Sequence, residues 1–233
     1  DPIIFLFIGS FMLAEAMFVH GLDRRIAFGA LSSRLVGSSP VRILFVYGAV
    51  AAAMSMWISN TATTAMMFPI GLSIIAHLSR TSVNKAQVRR YALAMMLITS
   101  FGPSIGGMGT PVGTPPNLIG VGMLERIVGI DITFFQWMSI GIPAAGLMFG
   151  VLAVYFYFTG IKGVHIPEGS TALVHEELRK LGPVSRGQRN VLIAFGTTVV
   201  LWLIPGVLAL GGLEGTELGR AYSAAIPESV AAM

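Results

Sequence analysis

Apolar and polar positions fall in long blocks along this chain. Residues 3–22 are almost continuously apolar, close to the roughly 20 residues a helix needs to cross a hydrocarbon core. Glu15 interrupts that run, and Asp23-Arg24-Arg25 closes it. Residues 26–40 are amphipathic and too polar to span, which predicts an interfacial helix ended by Gly37 and Pro40. Two further apolar runs, 41–54 and 65–78, flank the sequence S-M-W-I-S-N-T-A-T-T at 55–64. That centre is polar, uncharged and turns at Ser59-Asn60-Thr61. It predicts two short helices forming a re-entrant hairpin over 41–78. Its tip would stop inside protein, because non-helical backbone at membrane depth is tolerated only where protein or a cavity satisfies it.

A basic loop at 80–90 follows, then an apolar stretch at 91–105. The run G-G-M-G-T-P-V-G-T-P-P-N at 106–117 breaks it, and 118–124 resumes. Together these predict one crossing by a discontinuous helix. After a loop at 125–131, residues 134–158 span again, with Trp137, Tyr155 and Tyr157 as interface anchors. Gly146 and Gly150 have the spacing of a close helix approach. Residues 162–189 are polar, and H-E-E-L-R-K suggests a surface helix; 191–210 span once more, with Pro205 as a kink position; 211–220 form a loop. The chain thus divides into a spanning helix over 1–22, a cytoplasmic interfacial helix over 23–40, and the hairpin over 41–78. A cytoplasmic loop and discontinuous helix cover 79–124, a spanning helix 125–160, a cytoplasmic polar segment 161–189, a spanning helix 190–211, and an external loop 212–233. The fold class is all-α, a multi-span helical membrane protein.

Composition agrees with this division. The chain is 54% hydrophobic and 11% charged, against about a quarter charged in soluble domains. The absence of cysteine excludes disulfides and thiolate metal sites. His20, His77, His165 and His175 show no metal spacing. The chain opens on Asp1-Pro2 without an ordinary signal peptide, and its end reads as the start of another apolar segment, so a piece of a longer protein is expected. Of fifteen Lys and Arg, thirteen fall on one side of the predicted topology and only Arg126 and Arg220 on the other. The positive-inside rule makes the larger group cytoplasmic, so the hairpin enters from the cytoplasm.

No Lys or Arg lies in the proposed spans, so a charged ligand would be held by neutral groups or a companion ion. Glu15 is either a hydrogen-bonded packing acid or a proton or cation group. Both breaks look like helix starts, which carry partial positive charge and unpaired N–H groups. Asn60 is the expected N-cap of the second hairpin helix, with Thr61 and Thr63 in its first turn. Thr114 is the expected N-cap of the resumed helix, with Pro115 at its first position. Oxygen ligands are also at hand: Ser55 and Ser59 four apart on one helix face, the Asn60 amide, and carbonyls of the glycine-rich break. Hard cations take such ligands. The physical reading is coupled binding of a cation and an anion. The plainer alternative has Ser55, Thr63 and Thr64 bonding back to carbonyls or bridging helices, and the Gly/Pro break acting as a kink. A channel would use the same carbonyls in a filter, but the break has no T-V-G-Y-G-like run. An intramembrane hydrolase with Ser59 as nucleophile would need a base within reach, and no mid-span His or Lys is available. A proton-coupled carrier would use Glu15.

The pattern S-x-x-x-S-N-T at 55–61 followed by G-G-M-G-T-P-V-G-T-P-P-N at 106–117 resembles the divalent anion/sodium symporter family. The resemblance implies a secondary transporter, not an enzyme, built from two inverted repeats of which this chain holds one. It implies sodium as the coupled ion, with Ser55, Ser59, Asn60 and the Gly113 carbonyl as ligands, and Asn60, Thr61 and Thr114 beside the substrate. The substrate would be a dicarboxylate such as succinate, or citrate or sulfate; exchange and proton coupling stay open. An elevator-type homodimer in the cell inner membrane is implied, with the lipid bilayer as surroundings and no nucleic-acid partner. The family has further helices before this stretch and a second repeat after it, which this chain lacks.

Overall fold

The structure, a computed structural model, describes residues 2–33, 39–82, 84–130, 132–161, 172–213 and 216–233. Arg34, Gly37 and Lys162, used in the topology and helix-end reading, lie outside the described residues, as does the side chain of Arg220. The described residues form eleven α-helices and no strand. They are α1 (Pro2–Val19), α2 (Leu22–Leu31), α3 (Pro40–Ser55), α4 (Asn60–Thr81), α5 (Lys85–Gly106), α6 (Pro115–Met123), α7 (Phe134–Phe156), α8 (Ala172–Lys180), α9 (Arg186–Leu210), α10 (Glu217–Ala225) and α11 (Glu228–Ala231). Single π-helical turns extend α6 over Leu124–Val128 and α7 over Tyr157–Ile161. Four helices are long and apolar enough to cross a membrane: Pro2–Val19, Asn60–Arg80, Phe134–Thr159 and Arg186–Leu210.

Several boundaries differ from the sequence reading. Gly21 takes φ 64°, a left-handed turn that glycine adopts without strain. This lets α2 begin at Leu22, so Asp23-Arg24-Arg25 lies inside the amphipathic helix instead of closing the previous one. Asp23 is buried there and burial raises its carboxyl above the usual carboxylate range. The basic loop at 80–90 is mostly helical, because Asn84 caps α5 by accepting from the Ala86 and Gln87 N–H groups. The two hairpin helices are not equally short. α3 has 16 residues and α4 has 22, about 33 Å at 1.5 Å per residue.

Helix α5 lies along both arms of the hairpin. Tyr47 on α3 is fully buried and joins all three: its hydroxyl donates to the Met67 carbonyl on α4 at 2.7 Å and lies 2.8 Å from Thr99 Oγ1 on α5. Small residues bring α3 and α5 together. A Cβ on Gly102 would sit 3.2 Å from the Gly48 carbonyl oxygen, and one on Gly106 would sit 2.0 Å from that of Ala52. This is the small-residue seam that membrane helices use in the absence of a hydrophobic driving force. The expected seam at Gly146 and Gly150 is not used within the chain, since a Cβ at either position meets nothing within 4 Å among the described residues.

Prolines inside helices remove a donor and free the carbonyl four residues earlier. Pro103 in α5 frees the Thr99 carbonyl, and Thr64 Oγ1 on α4 reaches it at 3.4 Å. Pro205 in α9 frees the Leu201 carbonyl, and the Tyr222 hydroxyl donates to it at 2.9 Å. At these two prolines hydroxyls from neighbouring helices replace the missing N–H groups, as an apolar surrounding favours.

The corner between α1 and α2 is clasped to the corner between α8 and α9. Arg25 Nε donates to Gln188 Oε1 at 2.8 Å, and its Nη2 lies 3.0, 2.8 and 3.2 Å from the carbonyls of Leu181, Gly182 and Pro183. Gln188 Nε2 in turn donates to the His20 carbonyl at 3.0 Å. Glu15, by contrast, is exposed on α1 and makes no hydrogen bond to described residues.

Two stability outcomes follow from these contacts. Arg25→Ala should lower the unfolding free energy by about 2 kcal/mol, the scale of hydrogen bonds to a charged group, while Arg186→Ala on the exposed start of α9 should change it by less than about 0.5 kcal/mol. Tyr222→Phe should cost about 1 kcal/mol by leaving the Leu201 carbonyl unpaired. Thermal unfolding of the purified full-length protein in detergent checks both.

Candidate functional site

The hairpin turns at 56–59, between the end of α3 at Ser55 and the start of α4 at Asn60. Ser59, and not Asn60, is the N-cap of α4: its Oγ accepts from the Ala62 N–H at 3.2 Å. This moves Asn60 to the first helical position, and its side chain turns back toward α3. Ser55 Oγ donates to Asn60 Oδ1 at 2.6 Å. Ser55 and Ser59 consequently do not share a helix face, because α3 ends at Ser55; the turn itself brings them to the same junction.

The second break runs between Gly106 and Pro115, as the sequence predicts. Its loop lies on the hairpin tip with almost no space between the two backbones. A Cβ at Gly107 would fall 2.4 Å from Asn60 Oδ1. A Cβ at Gly113 would fall 2.5 Å from the Gly107 carbonyl oxygen and 3.0 Å from that of Met56. Side chains then lock the loop in place. Thr110 Oγ1 donates to the Met56 carbonyl. Asn117, buried in the first turn of α6, donates through Nδ2 to the carbonyls of Gly107 and Thr110, both at 2.8 Å. Trp137 Nε1 on α7 donates to the Met108 carbonyl at 3.0 Å.

Ser55 therefore meets Asn60, Asn60 lies against Gly107, and Gly107 lies against Gly113; Ser59 joins Gly113 across a small cavity that Ser55, Asn60, Thr61 and Thr114 do not line. That cavity has a volume of about 10 Å³ and is lined by Ser59, Trp57, Gly113 and Pro115 with Phe7, Ser10, Phe11 and Ala14 of α1. A cavity of roughly 10–15 Å³ holds one water-sized occupant. The starts of α4 and α6 thus open beside the same space, but only α4 offers N–H groups without a partner among the described residues, those of Asn60 and Thr61, because Pro115 and Pro116 have none and the Asn117 N–H donates to the Thr114 carbonyl at 3.1 Å. Thr61 is exposed and Thr114 half-buried; neither hydroxyl bonds to a described residue, and Thr114 is at the N-cap position of α6 without closing the cap. Thr63 is buried in the first turn of α4, and its hydroxyl has no partner among the described residues. It does not bond back to a carbonyl, whereas Thr64 bridges to α5 as a structural threonine would.

The neutral character of the site is complete. Among the described residues no group of three or more His, Cys, Asp or Glu could hold a metal ion. Oxygen comes from hydroxyls, one amide and main-chain carbonyls, which is chemistry for a weakly held hard cation and not for a transition metal. Sequence reasoning missed Thr110, Asn117 and the Met56 carbonyl. Asn117 closes the G-T-P-P-N run, and its two amide donors were the available signal.

Asn117→Ala should destabilise the protein by about 1–3 kcal/mol, since it leaves two buried carbonyls without a side-chain donor. Asn117→Asp should be no better, because an ionised carboxylate only accepts. Thermal unfolding in detergent of both variants provides the measurement.

Comparison with known proteins points in the same direction as this geometry. Sodium-dependent dicarboxylate transporter SdcS of Staphylococcus aureus, in strains USA300 and COL, is 34% identical over 208 residues. The aligned part covers 87% of this chain and 39% of each relative, so the chain spans less than half the length of those transporters. With its apolar helices it is a multi-pass membrane protein. Residues 1–219 match the model of the sodium:sulfate symporter transmembrane region, and the chain belongs to that family.

Proposed function

We propose that this chain carries one of two half-sites of a sodium-coupled symporter for a divalent anion, a C4-dicarboxylate such as succinate. The observation behind this reading is the meeting of two helix starts over a set of neutral oxygens. Ser55, Ser59, Asn60 and the Gly113 carbonyl hold sodium, the unwound backbone supplying oxygen as it does in other transporters. Asn60, Thr61 and Thr114, with the N–H groups at the start of α4, hold one carboxylate. Each ion offsets the charge of the other, so each raises the affinity of its partner by the same factor. The relatives named for sodium-dependent dicarboxylate transport support both the ion and the substrate class.

In this reading the protein lies in the cell inner membrane, and the hairpin α3–α4 enters from the cytoplasm as a re-entrant unit. The hairpin and the discontinuous helix α5–α6 belong to a transport domain. That domain slides against a scaffold containing α1 and α9 in a homodimer, with α2 and α8 as connecting arms. The rest of the full-length protein provides the other half-site.

Asn60→Ala and Thr61→Ala should abolish uptake by full-length protein in proteoliposomes while leaving expression intact; unchanged sodium-dependent succinate uptake in either would sink the assignment. Gly113→Val should raise the sodium concentration for half-maximal uptake by at least about tenfold, a loss of roughly 1.4 kcal/mol of binding. Uptake of succinate, citrate and sulfate, each with and without a sodium gradient, identifies the anion and the coupling.

A further inference from the structure

No Asp or Glu occurs between Asp23 and Glu125, yet five exposed cations gather at one end of the hairpin and α5. Arg42 lies in the first turn of α3, Arg80 near the end of α4, and Lys85, Arg89 and Arg90 at the start of α5. The Tyr91 hydroxyl donates to the Pro40 carbonyl at 3.2 Å, which holds the starts of α3 and α5 side by side. None of the five makes an ion pair with a described residue. Their charge is left to something outside this stretch.

The exposed surface of α5 continues from these cations in one direction. Lys85, Arg89, Leu93, Leu97 and Phe101 recur every four residues and are all exposed, so they form one continuous ridge, a stripe that winds around the helix by about 40° per step. From Arg89 to Phe101 the stripe is about 18 Å long, close to the roughly 15 Å thickness of one leaflet's hydrocarbon. At its apolar end lies an open groove of about 510 Å³ between α5 and α7. It is lined by Phe101, Ile105 and Met108 on one side and Met148, Val151 and Tyr155 on the other.

We propose that this stripe and groove form a binding site for one anionic glycerophospholipid of the inner leaflet. The phosphate headgroup sits on Lys85 and Arg89, with Arg80 and Arg90 flanking. One acyl chain runs along Leu93 and Leu97 and ends in the groove between α5 and α7. Charge selects an anionic headgroup over a zwitterionic one, because juxtamembrane cations attract anionic lipid individually. The apolar stripe and groove set the depth of the chain. The site rests on the membrane placement of α5 and not on transport, so its test reads lipid contact alone.

The chain has no cysteine, so L97C in cysteine-free full-length protein gives one labelling position for bimane on the stripe. The probe is quenched by brominated lipid in vesicles of phosphatidylcholine containing an equal fraction of either brominated phosphatidylglycerol or brominated phosphatidylcholine. Phosphatidylglycerol should quench the label several-fold more effectively. K85Q and R89Q should each reduce that preference, by about fivefold in relative affinity. The same label at L147C, on the exposed face of α7 outside the groove, should show no preference. Equal quenching by the two lipids at position 97 would overturn the site, as would a preference that survives K85Q/R89Q. Quenching by neither lipid would mean that another part of the protein or a second copy covers the groove, and would overturn it equally.

Discussion

Everything around the site depends on backbone meeting backbone at close range. The loop after α5 lies on the hairpin tip with glycine at each point of nearest approach: Gly106 against Ala52, Gly107 against Asn60, Gly113 against Gly107 and Met56. Side chains larger than hydrogen would separate the two breaks. Close approach concentrates carbonyl dipoles, and an apolar surrounding leaves them no water to bond. Thr110, Asn117 and Trp137 supply donors to those carbonyls.

The same constraint organises the rest of the chain. A proline in a membrane helix leaves a carbonyl without its donor, and here hydroxyls of Thr64 and Tyr222 arrive from neighbouring helices to supply it. Tyr47 ties α3, α4 and α5 together through its hydroxyl. At the other end, Arg25 collects three carbonyls where the chain turns between α8 and α9. Polar side chains in this protein serve the main chain first. The residues that escape that duty, such as Thr61 and Thr114, are the ones with hydroxyls to offer a ligand.

Charge is arranged by the opposite rule. It is excluded from the breaks and collected at helix ends, and the hundred residues around the hairpin carry cations without a single acid. A neutral cradle can bind a cation and an anion together because neither has to displace a fixed counter-charge. In the proposed lipid site a cationic rim outside it meets the headgroup phosphate.

Much of this was legible in the residues alone. Long apolar blocks give helices because any spanning backbone has to satisfy itself internally, and the uncharged S-N-T and G-T-P-P-N interruptions identify the two breaks. Proline at the first helical position sets the helix start at 115, and the Ser-Asn-Thr turn places the other within one residue of 60. Local capping was harder to read. Ser59 and Asn60 are both good N-caps, and only the position of Ser55 and the turn at 56–59 decides that serine caps while asparagine turns toward Ser55. The small-residue seam shows the same limit. Gly146 and Gly150 have the right spacing, but spacing names a candidate face without naming a neighbour. The seam that forms uses Gly48, Gly102 and Gly106, because the hairpin lays α3 along α5. Periodicity and composition are properties of one segment, and so the sequence by itself determined helices, breaks and polarity. Which carbonyl meets which donor, and which glycine meets which backbone, depends on a second segment, and only the tertiary structure decided that.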